Sequence, residues 1–328
     1  MVDSLGRKID YMRISITYRC NLRCKYCMPD GIENIPMSDI LTFEEICRVV
    51  EQAASLGIKN IKITGGEPLV RKGCPDLIGM LKKIDGIEQV TLTTNGVLLE
   101  EQLPELLAAG LDAVNISLDV MDRQRFVEIT GRDEYDRVIS SIKAAYDSGL
   151  RTKINTVSLA RGKNGTVLSE NFKSLIELTR DMSLDVRFIE MMPIGYGRDF
   201  PAVSHDRLLR ELKDTYAGLE QDISHHGFGP AHYYRIPGYK GSVGLISAIH
   251  GKFCNECNRI RMTSQGYIKS CLCFEDGVDL MSYLRAEDSN DEELRHAIEK
   301  AILGKPSAHC FENPTEISED KSMVAIGG

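Results

Sequence analysis

Three cysteines near the amino end of the chain are spaced to hold a metal cluster. Cys20, Cys24 and Cys27 lie at Cys-x3-Cys-x2-Cys spacing, directly after an alternating run at residues 12–17 that predicts a β-strand. Three thiolates in one short loop can bind three irons of a [4Fe–4S] cube. With no further cysteine nearby in the sequence, one iron would stay open to a ligand other than protein. The alternative is a structural zinc site, which closes with four protein ligands.

A second group of four cysteines lies near the carboxyl end. Cys254 and Cys257 are separated by two residues, and Cys271 and Cys273 follow after a gap of thirteen residues. In an isolated domain this spacing is typical of a zinc ribbon. Beside a cluster-binding loop it also suits a second iron–sulfur cluster, so the spacing alone leaves both interpretations open.

The bulk composition of the 328 residues favours a cytoplasmic protein. No apolar run approaches the roughly 20 residues needed to span a bilayer, and the first residues lack the apolar segment of a secretory signal. Ten cysteines without such a signal indicate metal or redox use rather than disulfides. The net charge of −8 disfavours nonspecific binding to nucleic acid.

The elements that must position the first cysteine loop follow one repeated pattern. An amphipathic helix ends at a glycine and a short β-rich run follows, at Gly57, Gly86, Gly110 and Gly149. Together with residues 12–17 and 185–190 this gives six strands joined by helices, which is typical of a parallel sheet. We therefore predict an α/β fold, a partial (βα)6 TIM-like barrel over residues 1–190, with a carboxyl-terminal extension over residues 191–328.

Each predicted strand has one apolar face and one polar face. The polar positions alternate with apolar ones, and they are Arg13, Ser15, Thr17, Lys62, Thr64, Thr91, Thr93, Asn115, Ser117, Lys153, Asn155 and Arg187. If the apolar positions pack beneath the helices, the polar ones must line the inside of the barrel. The alternative is an open sheet with one face in solvent. A barrel of this kind has its site at the carboxyl ends of the strands, where the first cysteine loop begins.

The first cysteine loop resembles that of the radical S-adenosylmethionine (SAM) enzymes. Tyr26 lies between the last two cysteines, Met28-Pro29 follow them, and Gly65-Gly66-Glu67-Pro68 follow the second predicted strand, as in that family. The resemblance implies that the amino and carboxylate groups of SAM bind the open iron. An electron from the cluster then releases a 5′-deoxyadenosyl radical, which is chemistry of the cofactors more than of the protein.

Further motifs narrow the resemblance to the branch of this family that acts on GTP. The matching parts are Arg13, residues 233–238, Arg259 and Arg261 within the second cysteine group, and the terminal Gly327-Gly328. The resemblance implies a second [4Fe–4S] cluster on Cys254, Cys257 and Cys271, whose open iron binds guanine. A fourth ligand at Cys273 would close that cluster, and the sequence leaves this open.

The resemblance also assigns roles to individual residues. SAM contacts are implied for Tyr26, Gly66, Ser117 and Met192. GTP contacts are implied for Arg13, Lys62, Thr93, Lys153, Arg259 and Arg261, and catalytic roles for Arg13, Gly327 and Gly328. Lys62 stands where the family often has arginine, which keeps the charge but loses a bidentate phosphate contact. Arg187 is added from the strand pattern alone, with a structural ion pair as its alternative.

The implied activity is that of a lyase that converts GTP to (8S)-3′,8-cyclo-7,8-dihydroguanosine 5′-triphosphate, the first step of molybdenum cofactor biosynthesis. The expected partners are GTP, a reductant for the cluster and the downstream cyclic pyranopterin monophosphate synthase, with no nucleic acid and no membrane. A homodimer is compatible with the sequence. A peptide-modifying radical SAM enzyme and a non-enzymatic metal-binding scaffold are the alternatives. The scaffold would not cleave SAM, and the peptide-modifying enzyme would not use GTP.

Overall fold

The computed structural model of the chain describes residues 1–31, 35–159 and 167–327. Within these ranges the chain forms twelve strands and nine α-helices. The strands are β1 (Tyr11–Ser15), β2 (Asn60–Thr64), β3 (Gln89–Thr94), β4 (Ala113–Ser117), β5 (Arg151–Val157), β6 (Asp185–Ile189), β7 (Glu220–Asp222), β8 (His232–Arg235), β9 (Ser242–Ile246), β10 (Arg259–Met262), β11 (Tyr267–Lys269) and β12 (Val278–Asp279). The helices are α1 (Phe43–Ser55), α2 (Cys74–Leu81), α3 (Leu99–Ala108), α4 (Arg123–Thr130), α5 (Tyr135–Asp147), α6 (Glu170–Asp181), α7 (His205–Thr215), α8 (Met281–Leu284) and α9 (Asp291–Leu303).

The six predicted strands form the centre of one sheet. Strands β1 to β6 lie side by side in chain order, and each is parallel to its neighbour. At least one helix lies between each consecutive pair, which is the connection that parallel strands require. The predicted repeat and the fold class, an α/β partial TIM-like barrel, are therefore confirmed.

Strands from the carboxyl-terminal part extend this sheet at both edges. Strand β10 pairs with β1 and β9 pairs with β6, both in parallel. Antiparallel β11 and β12 continue beyond β10, and antiparallel β8 and β7 continue beyond β9. The sequence pattern did not predict these strands. The sheet contains strands from both sides of residue 190. The division of the chain into domains 1–190 and 191–328 stays a prediction.

The two faces of the sheet differ as the alternation predicts. On one face the side chains are apolar and completely buried, and they include Ile61, Ile63, Val90, Leu92, Val114, Ile116 and Ile154. On the other face the polar side chains are enclosed as well, since only 6% of Lys153 and 8% of Arg187 is exposed. The polar face is thus the inner surface of the barrel, and the alternative of an open sheet with one face in solvent is wrong.

Hydrogen bonds cap the amino end of helix α1. The Thr42 hydroxyl accepts from the backbone N–H of Glu45 (3.2 Å), and the Glu45 carboxylate accepts from the backbone N–H of Thr42 (2.7 Å). This reciprocal pair is the capping box that the Thr42-x-x-Glu45 spacing predicts. None of the described helices is long and apolar enough to cross a membrane.

Candidate active site

The first cysteine loop follows β1 at its carboxyl end. The backbone N–H of Leu22 and the side-chain amide of Asn95 both donate to Cys20 Sγ (3.4 and 3.7 Å), and the backbone N–H of Val324 donates to the Cys27 thiol. Donors directed at sulfur are typical of thiolate ligands of iron–sulfur clusters. Without a cluster, burial raises the pKa of Cys20 to about 11 and that of Cys27 to about 12.

A single metal ion is a poorer match for these thiols. Among the residues that the structure describes, no group of three or more His, Cys, Asp or Glu side chains lies where it could hold one ion. The thiols of Cys20, Cys24 and Cys27 still lie close enough to affect one another, because charge on Cys20 or Cys27 raises the pKa of Cys24. A loop of three such thiols suits a cube of four irons, which spreads its ligands wider than one ion does.

The paired glycines after β2 bring the backbone against the start of this loop. The Gly66 N–H donates to the Thr17 carbonyl (2.7 Å), and the Glu67 N–H donates to the Arg19 carbonyl (2.8 Å). A Cβ at Gly65 would lie 2.6 Å from the Thr17 carbonyl oxygen, and one at Gly66 would lie 2.5 Å from that of Arg19. Glycine is required at both positions for the chain to approach its own cysteine loop.

Glu67 ties the ends of β2 and β3 to the loop. Its carboxylate is fully buried and accepts from the Thr94 hydroxyl (2.7 Å), the Asn95 N–H (2.6 Å) and the Leu69 N–H (3.0 Å). Burial raises the pKa of Glu67 to about 7 despite these donors. The Asn95 side chain in turn donates to the Asn21 side chain inside the loop (2.7 Å). The network fixes the loop relative to β2 and β3.

A small pocket beside the loop brings together two of the residues assigned to SAM. Tyr26 and Ser117 line it with Cys24 and Asp119. The Tyr26 hydroxyl donates to the Asp119 carboxylate (2.6 Å), and burial raises the pKa of Asp119 to about 6.

The other two residues assigned to SAM, Gly66 and Met192, are not part of this pocket as far as the structure describes it. Gly66 lies against the backbone of Arg19, while Met192 follows β6 and packs on a small apolar cluster that contains Ile194 and Ile326.

Cationic side chains of neighbouring strands meet on the inner face of the barrel. Arg13 lies in register with Lys62 on one side and with Arg261 on the other. Burial lowers the pKa of Lys62 well below its usual value, and the charges of Arg187 and Arg13 lower it further. Burial and the charge of Arg13 act in the same way on the pKa of Arg261. The cations therefore share one enclosed space and repel one another.

Several of these cations have buried donors without an acceptor. In the described residues the Nε atoms of Arg187 and Arg259 and the Nη1 atom of Arg261 are buried and form no hydrogen bond. Buried donors without acceptors destabilise the folded protein, and repulsion between several cations in one enclosed space destabilises it further. The face is suited to an anion with many acceptor oxygens, such as a polyphosphate.

Lys153 has an anionic partner on the inner face. Its Nζ lies 2.9 Å from an Asp185 carboxylate oxygen and donates to the Tyr233 hydroxyl (2.9 Å) and to the His226 carbonyl. His226 stacks on Tyr233, with ring centroids 3.9 Å apart, and its Nδ1 also contacts Asp185 (3.0 Å). The alternating pattern predicted the inward position of Lys153 but not this network, which depends on the loop before β8.

Tyr11 is an inward residue that the sequence analysis missed. Burial raises the pKa of the Tyr11 phenol, while the charges of Arg13, Arg259, Arg187 and Arg261 act in the opposite direction. Its position two residues before Arg13 on β1 is the signal that could have found it. Thr93, assigned to GTP, lies opposite Asn115 on the same face, and the Asn115 amide donates to its hydroxyl (3.4 Å).

The second cysteine group lies where β10 and β11 meet the edge of β1. Cys254 and Cys257 precede β10 and Cys271 follows β11. Each thiol accepts a backbone N–H: His309 donates to Cys254 Sγ (3.4 Å), Arg259 to Cys257 and Cys273 to Cys271. Burial alone would raise the pKa of Cys257, but the cations of Arg259 and Lys305 lower it to about 7.

Cys273 is turned toward another thiol. Its Sγ lies 2.9 Å from Cys310 Sγ and accepts from the Cys310 backbone N–H (3.2 Å). Both thiols belong to the apolar cluster that also includes Phe311 and Ile326. Cys271 is therefore favoured over Cys273 as a cluster ligand. This assignment stays a prediction.

The carboxyl-terminal tail reaches both β1 and the first cysteine loop. Ile326 is fully buried, and Gly327 has a left-handed φ of 85°. A Cβ at Gly327 would lie 3.0 Å from the Cβ of Ser15, the next residue after Arg13 on the inner face. Val324 donates to the Cys27 thiol, as described above. Gly328 lies outside the described residues.

The sequence is similar to two families along its length. Residues 14–161 match the radical SAM superfamily, and residues 184–311 match the family described as Molybdenum Cofactor Synthesis C. A GTP 3′,8-cyclase of Clostridium perfringens is 43% identical over 329 residues, which span all of both chains. The chain belongs to the GTP 3′,8-cyclase family. Another member, from Petrotoga mobilis, is 44% identical over 335 residues and likewise matches over the full length of both chains.

Membership in this family confirms the resemblance seen in the cysteine and glycine motifs. Radical SAM enzymes use SAM and a [4Fe–4S] cluster, for which Cys20, Cys24 and Cys27 are the candidate ligands. Among solved structures, Streptococcus suis SuiB bound to S-adenosylmethionine covers 97% of this chain and 77% of its own, with a TM-score of 0.62. Its sequence identity of 17% means that this likeness concerns the fold alone.

Proposed function

We propose that the chain is a lyase that converts GTP to (8S)-3′,8-cyclo-7,8-dihydroguanosine 5′-triphosphate, the first step of molybdenum cofactor biosynthesis. The observation that carries the proposal is the enclosed cationic face between two cysteine loops. The buried Nε atoms of Arg187 and Arg259 and the buried Nη1 atom of Arg261 have no acceptor in the described residues, and a triphosphate would supply acceptors. The names of the relatives agree with a GTP substrate.

The first cysteine loop would hold the cluster that binds SAM, with Cys20, Cys24 and Cys27 as ligands. When bound, this cluster and SAM supply a 5′-deoxyadenosyl radical. Tyr26 and Ser117 would position SAM from the pocket beside Cys24. Gly66 and Met192 would contact it from the loop after β2 and from the segment after β6.

GTP would bind on the cationic face. Arg13, Lys62 and Arg261 are in register across three adjacent strands and would surround the triphosphate. Arg259, Thr93 and Lys153 would complete the site. Because Lys153 is paired with Asp185, its ammonium must exchange that partner for a phosphate oxygen or bind both.

The second cysteine group would hold a second [4Fe–4S] cluster on Cys254, Cys257 and Cys271. Sulfur-directed N–H donors to all three thiols support this assignment. An open iron there would bind guanine and hold the base at a fixed distance from the ribose. Fixing both reacting atoms of GTP would lower the barrier to such a ring closure.

The reaction on GTP balances with one electron and one proton from outside. A hydrogen atom passes from ribose C3′ to the 5′-deoxyadenosyl radical, which becomes 5′-deoxyadenosine. The C3′ radical then attacks C8 of guanine. The new C3′–C8 bond leaves an unpaired electron on the base, which one electron and one proton convert to the 7,8-dihydro product. Arg13 and the Gly327-Gly328 tail would order the ribose for this step, as the contact between Gly327 and Ser15 suggests.

This chemistry indicates which partners the enzyme needs. The enzyme needs a reductant for the cluster and for the closing step, and its product must pass to a cyclic pyranopterin monophosphate synthase. We place these partners and the enzyme in the cytoplasm. The chain would act without nucleic acid or membrane, as a monomer or as a homodimer.

Anaerobic reconstitution followed by reaction with SAM, GTP and dithionite tests the proposal. We expect 5′-deoxyadenosine together with an isomer of GTP that differs from it in chromatography and fragmentation. A peptide-modifying enzyme would cleave SAM but return all of the GTP, and a scaffold would do neither. ATP in place of GTP is the control and should give no cyclised nucleotide.

A further inference from the structure

Lys305 is a buried cation that contacts the second cysteine group. It follows the end of α9, and only 5% of the residue is exposed. Its Nζ donates to the carbonyls of Arg259 (2.8 Å) and Ser270 (2.5 Å) and to the thiol of Cys257. The ammonium thus joins the two backbone segments that carry Cys257 and Cys271.

The backbone that carries Lys305 is itself held in place. The Arg7 guanidinium donates to the carbonyls of Lys305 (3.2 Å), Pro306 (2.8 Å) and Ser307 (3.3 Å). It also donates to the carbonyl of Cys254 (3.0 Å), so one side chain links the Lys305 segment to the cysteine loop. The position of the ammonium is therefore set by several contacts rather than by a flexible side chain alone.

The charge of Lys305 has no carboxylate partner in the described part of the chain. Lys269, also buried, shows the usual arrangement, because it pairs with the buried carboxylate of Glu319. A buried ammonium is costly unless an anion balances it. For Lys305 the groups of opposite charge are the thiolates of Cys257 and Cys271. Its position has a physical reason if those sulfurs are anionic in the working protein.

We propose that Lys305 is a positioning residue of the second cluster, whose positive charge balances the thiolates of Cys257 and Cys271 and raises the reduction potential of that cluster. The inference rests on the proposed function, since it requires a cluster on this triad. A cation that donates to a ligand sulfur stabilises the reduced, more negative state of a cluster.

The test compares Lys305→Gln, which keeps a donor but removes the charge, with Lys305→Arg, which keeps the charge. Lys82→Gln is the matched control, because Lys82 pairs with Asp112 and has no hydrogen bond to a cysteine within the described residues. The anaerobically reconstituted full-length proteins are analysed for iron and titrated with electron paramagnetic resonance detection. A variant with alanine at Cys20, Cys24 and Cys27 identifies the signal of the second cluster.

We expect Lys305→Gln to make the potential of the second cluster more negative and to leave that of the first cluster unchanged. Lys305→Arg and Lys82→Gln should match the wild type. Loss of the second cluster in Lys305→Gln, with its retention in Lys305→Arg, would equally support a role for the charge. An unchanged potential in Lys305→Gln, or the same defect in both Lys305 variants, would overturn the inference. A wild-type protein with only about four irons would instead contradict the second cluster itself.

Discussion

The two cysteine triads have similar ligands in opposite electrostatic surroundings. The first lies near the buried carboxylates of Glu67 and Asp119, which add to burial in raising the pKa of Cys20 and Cys24. The second lies near Arg259 and Lys305, which lower the pKa of Cys257 to about 7. The first triad therefore depends on iron to keep its thiols ionised, while in the second triad Cys257 is already suited to negative charge, even though burial raises the pKa of Cys271. This difference agrees with the proposed roles, in which the first triad binds SAM and the second binds an anionic nucleotide.

Replacing one triad at a time should separate SAM cleavage from the cyclisation of GTP completely. Alanine at Cys20, Cys24 and Cys27 should abolish SAM cleavage and leave about four irons per chain. Alanine at Cys254, Cys257 and Cys271 should spare SAM cleavage but eliminate cyclised GTP. Iron analysis and chromatography of 5′-deoxyadenosine and nucleotides measure both. If either folded variant lost all its iron, the two triads would share one site.

Deletion of the last two glycines should give the next largest effect. Gly327 lies against Ser15 on the inner face of β1, so the deletion should disturb the bound ribose without touching a cluster ligand. Both clusters and reductive SAM cleavage should persist while cyclised GTP falls sharply. The Val324 contact to Cys27 is kept, because the deletion begins after Ile326. Full cyclase activity in the truncated protein would show that the tail is dispensable.

Single substitutions on the cationic face should weaken GTP binding by a moderate amount. Arg259→Ala or Arg261→Ala removes a charged donor and should cost roughly 1.5–3 kcal/mol of binding free energy, which isothermal titration calorimetry can measure. Arg285→Ala is a suitable control, because Arg285 pairs with Glu45 near the surface. GTP affinity equal to wild type in both Arg259→Ala and Arg261→Ala would remove these residues from the site.

The smallest effect concerns the thiols of the iron-free protein. A lowered pKa means that the thiolate persists to lower pH, and the thiolate is the species that reacts with iodoacetamide. The alkylation rate of Cys257 should therefore rise about tenfold between pH 6 and 8 and then level off, as expected for a group that titrates near 7. Cys20, with a pKa of about 11, should still be gaining rate above pH 9. Peptide mass spectrometry follows each thiol, and equal midpoints would contradict the electrostatic difference.

The alternation of polar and apolar residues predicted the barrel and its inner face because both follow from a period of two. It placed Arg13, Lys62 and Lys153 on one face but could not give their register, which depends on strand pairing. Strand β9 was missed because it begins in a segment rich in glycine and contains Gly244, whose missing side chain leaves room for Tyr233 and Arg187. Lys305 and the Cys273–Cys310 contact join segments far apart in sequence, and no local pattern specifies such pairs.

The most direct test of the central claim uses GTP that carries deuterium at ribose C3′. If the radical formed at the first triad acts on GTP held between the two triads, the deuterium must move to 5′-deoxyadenosine and increase its mass by about one unit, as one transferred atom requires. The same transfer should disappear in the variant with alanine at Cys254, Cys257 and Cys271. Formation of unlabelled 5′-deoxyadenosine by the wild-type protein, with the labelled GTP recovered unchanged, would contradict the account.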